Sequence, residues 1–118
     1  KAFCTGPEEA LKMLEAGCDN IIAHGGNTSG GSIGSKTVTS VDAMVDLVQR
    51  IVDAVKGKKP DVIVTCHGGA TETPEDVRYL LSKVKGLDGY VGGSTAERIP
   101  VEKSISEAVR GFKAIQLP

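Results

Sequence analysis

The sequence predicts an α/β fold of four βα units, arranged as half of an eight-stranded (β/α)8 barrel. Short apolar runs of strand length alternate four times with amphipathic helical segments, a pattern typical of parallel sheets. The run Asp61–His67 is apolar on both faces, as in a buried parallel strand. Glycine-rich loops follow the strands at their C-terminal ends, where barrels build their sites.

The first unit carries start and stop signals for its helix. A short strand over Ala2–Cys4 precedes a helix over Pro7–Ala16. Thr5 and Glu8 have the spacing of a capping box, and Gly17 follows the last turn as a stop signal. These signals predict one complete βα unit.

The second unit contains the longest loop. A strand over Asn20–His24 runs into HGGNTSGGSIGSKT, residues 24–37, which we call the glycine-rich loop. A helix over Val41–Lys56 follows, because apolar residues recur there at helical spacing. Ser40 or Thr39 is expected to cap this helix.

The third and fourth units are shorter. After the strand Asp61–His67, Thr73 caps a helix that Pro74 opens. A weaker strand over Leu87–Gly93 precedes a last helix that starts near Pro100. The apolar stripe of this last helix consists of Val101, Ile105, Ala108, Val109 and Phe112.

Four such strands are compatible with a small doubly wound sheet or with half of a barrel. Turns of the type Ala-Gly-Cys-Asp before a strand, and the position of the glycine-rich loops, favour the barrel. A complete barrel needs ~250 residues, so residues 1–118 are expected to form one partial barrel domain, a fragment of a longer chain. Its open edges and apolar face predict a need for the missing N-terminal half or for a homo-oligomeric partner.

Composition excludes several classes of protein. The 118 residues are 40% hydrophobic and 25% charged with a net charge of −1, whereas nucleic-acid binders need a basic surface. No apolar run approaches the ~20 residues of a membrane span. Cys4, Cys18 and Cys66 form no CxxC pair and are interpreted as thiols of a cytoplasmic protein.

The glycine-rich loop is not a nucleotide-binding P-loop. Aligning Lys36 and Thr37 with the end of G-x-x-x-x-G-K-[ST] puts Gly30 correctly at the first position, but it puts Ser35 where the second glycine is required. The helix also begins too late after the lysine. The loop is instead either a substrate lid or anion clamp, using Ser32, Lys36 and Thr28, or a mobile connection.

Two later loops repeat a pair of glycines at a strand end. Backbone amides there approach anions closely, and phosphate-binding barrels place phosphate between the loops after their last two strands. The alternative is that the glycines only relieve crowding in tight turns. The predicted anion-binding residues of these loops are Gly68, Gly69, Gly92, Gly93 and Ser94.

Both histidines end a strand and precede Gly-Gly. A neutral imidazole of His24 or His67 can act as acid or base or can polarise a carbonyl, although a hydrogen-bonded rim histidine is the structural alternative. Two histidines without nearby carboxylates make a poor metal site, so no metal is assigned to this segment. Cys66 points away from its neighbour His67 and is interpreted as a buried thiol.

The pair Glu97–Arg98 follows the fourth loop. Arg98 is a candidate clamp for a carboxylate or phosphate, and Glu97 a candidate acid or base. The alternative is an ion pair that fastens the last helix.

Taken together, AHGGNTSGGSIGSKT, DVIVTCHGGATETPEDVRYLL and GYVGGSTAERIPVEKSI resemble the phosphoenolpyruvate hydrolase-like family of TIM barrels, also described as signal transduction proteins. The family also includes the barrel half of a plant protein that confers resistance to tomato mosaic virus. The resemblance covers essentially the whole chain. It implies that the four units are the last four, the C-terminal half, of a (β/α)8 barrel.

The resemblance also implies a function. The family resembles phosphoenolpyruvate-handling barrels, so the expected substrate is a small phosphorylated or carboxylated keto or enol acid, and a divalent metal would be held by the other half. On this interpretation, His67 or His24 exchanges the proton, and Lys36 with Arg98 neutralises developing charge. The alternative is a non-enzymatic regulatory or binding barrel that contacts a protein or a sensed metabolite.

Overall fold

A computed structural model describes residues 1–36 and 39–116. Within them, four parallel strands alternate with helices, and the last loop adds a short helix. The strands are β1 (Ala2–Cys4), β2 (Asn20–His24), β3 (Ile63–His67) and β4 (Gly89–Tyr90). The helices are α1 (Pro7–Glu15), α2 (Val41–Lys58), α3 (Pro74–Lys83), α4 (Ser94–Glu97) and α5 (Ile99–Lys113).

The sheet has the strand order of a barrel. Its strands lie in the sequence β1-β2-β3-β4, all parallel. A doubly wound sheet reverses its order at a switch point and carries helices on both faces. Here the order never reverses, and α1, α2 and α3 pack over the same face in one core. The chain therefore folds as four βα units, half of a (β/α)8 barrel, as the sequence predicts.

The core lies between this outer face and the helices. Alternate strand residues point to it, as the two-residue period of a strand requires. Cys4, Ala23, Val64 and Cys66 are completely buried there. On the helix side they meet the apolar face of α2, whose fully buried side chains are Met44, Val48, Ile51 and Val55.

The opposite, inner face of the sheet is only partly covered. Phe3 and Ile63, which point to it, are 52% and 48% exposed. The stripe of α5 predicted from the sequence is present, but no described element covers it, and Phe112 is 75% exposed. The described structure is elongated, at 71 × 25 × 22 Å. Within the described ranges, no helix is both long and apolar enough to cross a bilayer.

Helix caps confirm two predictions and correct one. Ser40 accepts from the Ala43 amide at 3.1 Å, and Thr73 forms a capping box with Asp76. The expected box of Thr5 with Glu8 is wrong. Gly6 is the N-cap of α1, and the Thr5 amide and hydroxyl both donate to Glu9, at 2.7 and 3.0 Å.

The fourth unit differs most from its prediction. Its strand is reduced to Gly89–Tyr90, and a separate turn of helix, α4, precedes α5. The sequence placed the helix start near Pro100 because proline marks a first turn. That proline does open α5, but the polar residues of α4 carry no apolar periodicity that would reveal them.

Leu80→Ala is expected to destabilise the protein strongly. Leu80 of α3 is completely buried in the core, so its truncation leaves a cavity and should cost roughly 2–5 kcal/mol. The measurement is the free energy of unfolding from urea denaturation. Leu81→Ala is the control on the same helix, since Leu81 is 40% exposed and should cost about 1 kcal/mol. Equal losses in both variants would contradict the assigned packing.

Candidate anion-binding site

Hydrogen bonds continue from the ends of β2 and β3 into the loops that follow. The two strands pair up to His24 opposite His67, and the Gly25 amide then donates to the His67 carbonyl at 2.9 Å. The Gly69 amide returns a bond to the Gly26 carbonyl at 2.8 Å. The two loops are thereby joined, and both histidines are held side by side.

Glycine is required at the third strand end for this join. Gly68 and Gly69 have φ values of +71° and +60°, which side chains rarely adopt. A Cβ atom on either residue would also collide with the carbonyl of Gly26 or Gly25. The Gly69 amide thus already donates to the Gly26 carbonyl, and crowding requires glycine at both positions. Anion binding by Gly68 and Gly69 stays a prediction.

The two histidines hold their protons on opposite ring nitrogens. Nδ1 of His24 accepts the Gly26 amide at 3.0 Å, so a neutral His24 carries its proton on Nε2. Nδ1 of His67 lies 2.7 Å from the Val91 carbonyl, which can only accept, so His67 carries its proton on Nδ1. His24 therefore offers a donor at Nε2, and neutral His67 offers a lone pair at Nε2.

A third ring completes this cluster. Phe3 lies edge-on to His24 and His67, with ring centroids 5.5 and 5.4 Å away, and the two imidazole centroids are 5.2 Å apart. Burial lowers the pKa of His24, and the neighbouring His67 lowers that pKa further. His24 is therefore held in the neutral form that its hydrogen bond to Gly26 requires.

An open recess of about 320 Å³ lies over the two histidines. Its lining is polar and contains one guanidinium and no carboxylate among the described residues. The lining residues are His24, Gly26, Asn27, Thr28, Ile33, Ser35, His67, Ser94 and Arg98. Hydroxyl, amide and guanidinium donors without a competing carboxylate suit a small anion.

The fourth loop approaches the recess from β4. Ser94 lines the recess, and a Cβ atom on Gly93 would lie only 3.2 Å from Cε1 of His67. Glycine at this position therefore allows the loop to approach the imidazole. None of the backbone hydrogen bonds among the described residues uses the amide of Gly92 or Gly93. These two amides remain candidates for binding an anion.

Arg98 connects the recess to the glycine-rich loop and to α5. Its Nη1 donates to the Gly30 carbonyl at 3.1 Å and to Glu102 Oε1 at 3.0 Å. The other oxygen of Glu102 accepts the Ser32 amide at 2.7 Å. The arginine that fastens the last helix is thus paired with Glu102, not with its neighbour Glu97 as the sequence alternative had it, and it also lines the recess.

Seven of the predicted residues do not line the recess: the four glycines Gly68, Gly69, Gly92 and Gly93, and three residues with side chains, Ser32, Lys36 and Glu97. The Ser32 amide points to Glu102, and its residue borders a groove beside α5 instead. Lys36 is exposed, one position beyond Ser35, and Glu97 is exposed on α4. Thr37, which the P-loop comparison used, lies outside the described residues.

Cysteine and metal chemistry are also constrained by the structure. Cys66 is completely buried, as predicted, and burial raises the pKa of its thiol to about 12. All three cysteines are free. Within residues 1–36 and 39–116, no three His, Cys, Asp or Glu side chains group closely enough to hold a metal ion.

Several site residues were not found from the sequence. Asn27 and Ser35 lie in the loop that was singled out, but its polar residues gave no indication of which ones face inward. Glu102 had a usable signal, because it follows Arg98 by one helical turn. Phe3 had another, since alternation along β1 places it on the inner face with the histidines.

Fold and site together define a half barrel with a polar recess at the C-terminal ends of its strands. The chain matches the phosphoenolpyruvate hydrolase-like family over residues 1–115, and it belongs to that family.

The curated relatives are much longer proteins. The "ToMV susceptible protein tm-1(GCR26)" and the "ToMV resistance protein Tm-1(GCR237)" of Solanum lycopersicum are each 47% identical to this chain over 116 residues. The match covers 98% of this chain but only 15% of either tomato protein. A protein of Sinorhizobium fredii, provisionally named as a transcriptional regulatory protein, is 31% identical to this chain over 114 residues. That match covers 97% of this chain and 19% of the Sinorhizobium protein.

Among solved structures, the nitroalkane oxidase from Streptomyces ansochromogenes is similar with a TM-score of 0.49 and 24% identity. The similarity covers 79% of this chain and 26% of the oxidase chain.

The pKa of His24 is expected to lie below its usual value of 6.5. Since the folded pKa is depressed, the unfolded chain takes up a proton first as the pH falls. The contribution of neutral His24 to the free energy of unfolding is fully present above pH 6.5. It is lost as the pH falls toward the pKa of His24 in the folded protein. An NMR titration of the His24 Cε1 proton measures the midpoint, and His24→Gln should show a smaller loss of stability between pH 8 and pH 5. A midpoint at or above 6.5 would contradict the assigned environment.

Proposed function

We propose that this chain is part of a TIM-barrel enzyme that acts on a small phosphorylated or carboxylated keto or enol acid. The observation that carries the proposal is the pair of histidines, whose neutral forms offer one donor and one acceptor at Nε2, in a recess that contains Arg98 and, among its described lining residues, no carboxylate. Membership of the phosphoenolpyruvate hydrolase-like family supports the substrate class.

The anionic group of the substrate would bind opposite the histidines. Arg98 supplies a positive charge, and the hydroxyls of Thr28 and Ser94 supply neutral donors in the same recess. The amides of Gly92 and Gly93 are close by, on the loop that contacts the His67 ring. Lys36, at the end of the described loop, adds a second cation on the solvent side.

The two histidines would divide the proton chemistry. Nε2 of His67 takes a proton from water or from the carbon beside the carbonyl, and it becomes an imidazolium. Nε2–H of His24 donates a hydrogen bond to the oxygen that gains negative charge. A neutral imidazole stabilises such an oxygen as a donor without giving up its proton.

A regulatory or binding barrel is the second candidate function. The names of the tomato relatives refer to susceptibility and resistance to a virus, and the name of the Sinorhizobium protein to transcription. None of these names states a reaction. In this alternative, the same recess binds an anion as a signal and turns nothing over.

The first experiment separates the two candidates with inorganic phosphate and phosphoenolpyruvate as probes. Calorimetry of the full-length protein should detect binding of both anions. His67→Gln should retain phosphate binding, because its amide still donates to Val91, but should reduce turnover roughly 10²–10⁴-fold because it cannot accept a proton.

Lys59→Ala is the matched control, since Lys59 lies beyond α2 at the opposite end of the sheet. It should change neither binding nor turnover. Absence of turnover of any tested acid by the unmodified protein, with phosphate binding retained, would favour the regulatory barrel. Absence of phosphate binding would contradict both.

We further propose that the inner face of the sheet and the α5 stripe are covered by the rest of a barrel or by a second copy. Residues 1–118 alone should therefore associate or melt without cooperativity. Sedimentation and thermal unfolding measure this, and Ile105→Glu should reduce association because Ile105 is 60% exposed on the stripe. A monodisperse monomer that melts cooperatively would contradict this proposal.

A further inference from the structure

Two side chains of the last helical segment hold the tip of the glycine-rich loop. Arg98 and Glu102 form an ion pair of 3.0 Å in which both side chains are only about 20% exposed. Arg98 binds the carbonyl of Gly30, and Glu102 binds the amide of Ser32. The Gly30 carbonyl and the Ser32 amide are therefore both bound by the Arg98–Glu102 ion pair.

The loop tip is shaped to lie against this pair. Gly30 and Gly31 have φ values of +78° and +72°. A Cβ atom on Gly31 would collide with the carboxylate of Glu102 and the guanidinium of Arg98. The left-handed conformation of Gly31 and its close approach to Glu102 and Arg98 both favour glycine at this position. The turn therefore packs specifically against the ion pair.

The same attachment reaches the recess. Arg98 lines it, and so do Ile33 and Ser35, which follow the attached turn directly. On its other side, the loop is fixed by Ser29, which is 2% exposed and donates twice to the Gly69 carbonyl. The middle of the loop is therefore anchored twice, by Ser29 to the loop after β3 and by the next turn to Arg98 and Glu102, and residues on both sides of these anchors line the recess.

We propose that Glu102 is a positioning residue, which fixes the Arg98 guanidinium and the glycine-rich loop in place for anion binding. This inference rests on the proposed anion site. Among the hydrogen bonds of the described residues, Glu102 reaches the recess lining through Arg98. Glu102 would affect a bound anion indirectly, because it orients the Arg98 guanidinium and holds the glycine-rich loop in position.

A positioning role and a purely electrostatic role of Glu102 predict opposite changes in anion affinity when Glu102 is neutralised. Removing a carboxylate next to Arg98 makes the site more positive, so a purely electrostatic role predicts tighter anion binding. A positioning role predicts weaker binding, because the arginine and the loop lose their fixed geometry. Glu102→Gln therefore distinguishes the two roles by the sign of its effect.

Other charged groups surround Glu102 and need a matched control. Lys103, Glu107 and Arg110 line the same groove on α5, and Glu72 lies against Gly30 from the other side. The amide of Ser32, followed by Arg98, lowers the pKa of Glu102 below its usual 4.5. The attachment is thus complete above this pH and is lost as the pH falls through the folded pKa.

The first test uses the protein without any ligand. Hydrogen exchange of the Ser32 amide should become about fivefold to tenfold faster in Glu102→Gln, since a charged acceptor is replaced by a neutral one. The Ser32 amide shift should titrate below pH 4.5 in the unmodified protein and in Glu107→Gln, but not in Glu102→Gln. Unchanged exchange and an unchanged titration would overturn the proposal, whatever the site binds.

The second test measures the affinity for inorganic phosphate at pH 7. Glu102→Gln should bind several-fold more weakly and Glu107→Gln nearly as the unmodified protein does. Equal or tighter binding by Glu102→Gln would overturn the positioning role. If the unmodified protein binds no phosphate, the proposed function fails, and the exchange measurement alone decides whether Glu102 seats the loop.

Discussion

The site depends on the hydrogen bonds that carry the β2–β3 pairing beyond the ends of the strands. Gly25 and Gly69 exchange bonds with the facing loop, which fixes the backbone on both sides of the two histidines. Parallel strands bring their C-terminal ends to one edge of the sheet. The added hydrogen bonds of Gly25 and Gly69 fix the backbone at that edge, which forms the base of the recess. Phe3, Ser94 and Arg98 are then added from β1, the fourth loop and the start of α5.

Local hydrogen bonds determine the chemistry of the recess more than the net charge of the chain does. The net charge of −1 says nothing about an anion site, and the recess holds only one guanidinium among its lining residues. An amide beside one imidazole and a carbonyl beside the other make the two rings different. Burial keeps His24 neutral, so it can donate without carrying a charge.

Periodicity and capping signals predicted most of the fold, because each unit contains its own local information. Ser40, Thr73 and Pro74 cap and open helices as their types predict. The fourth unit was less predictable, since Gly89–Tyr90 has almost no strand signal. For the site, the position of a residue on a strand end was informative, as His24 and His67 show. The direction of a loop residue such as Ser32 depends on a tertiary contact, here with Glu102, that a sequence pattern does not contain.

The identical tripeptides His-Gly-Gly at the ends of β2 and β3 are therefore not equivalent. Under the proposed function, the proton acceptor lies on the β3 side of the recess and the oxyanion donor on the β2 side. With its anionic group at Arg98 as the third contact, a planar enol or keto acid can meet both histidines only with one of its two faces toward them. The recess would then be stereoselective: it would add or remove hydrogen on a single prochiral face of its substrate.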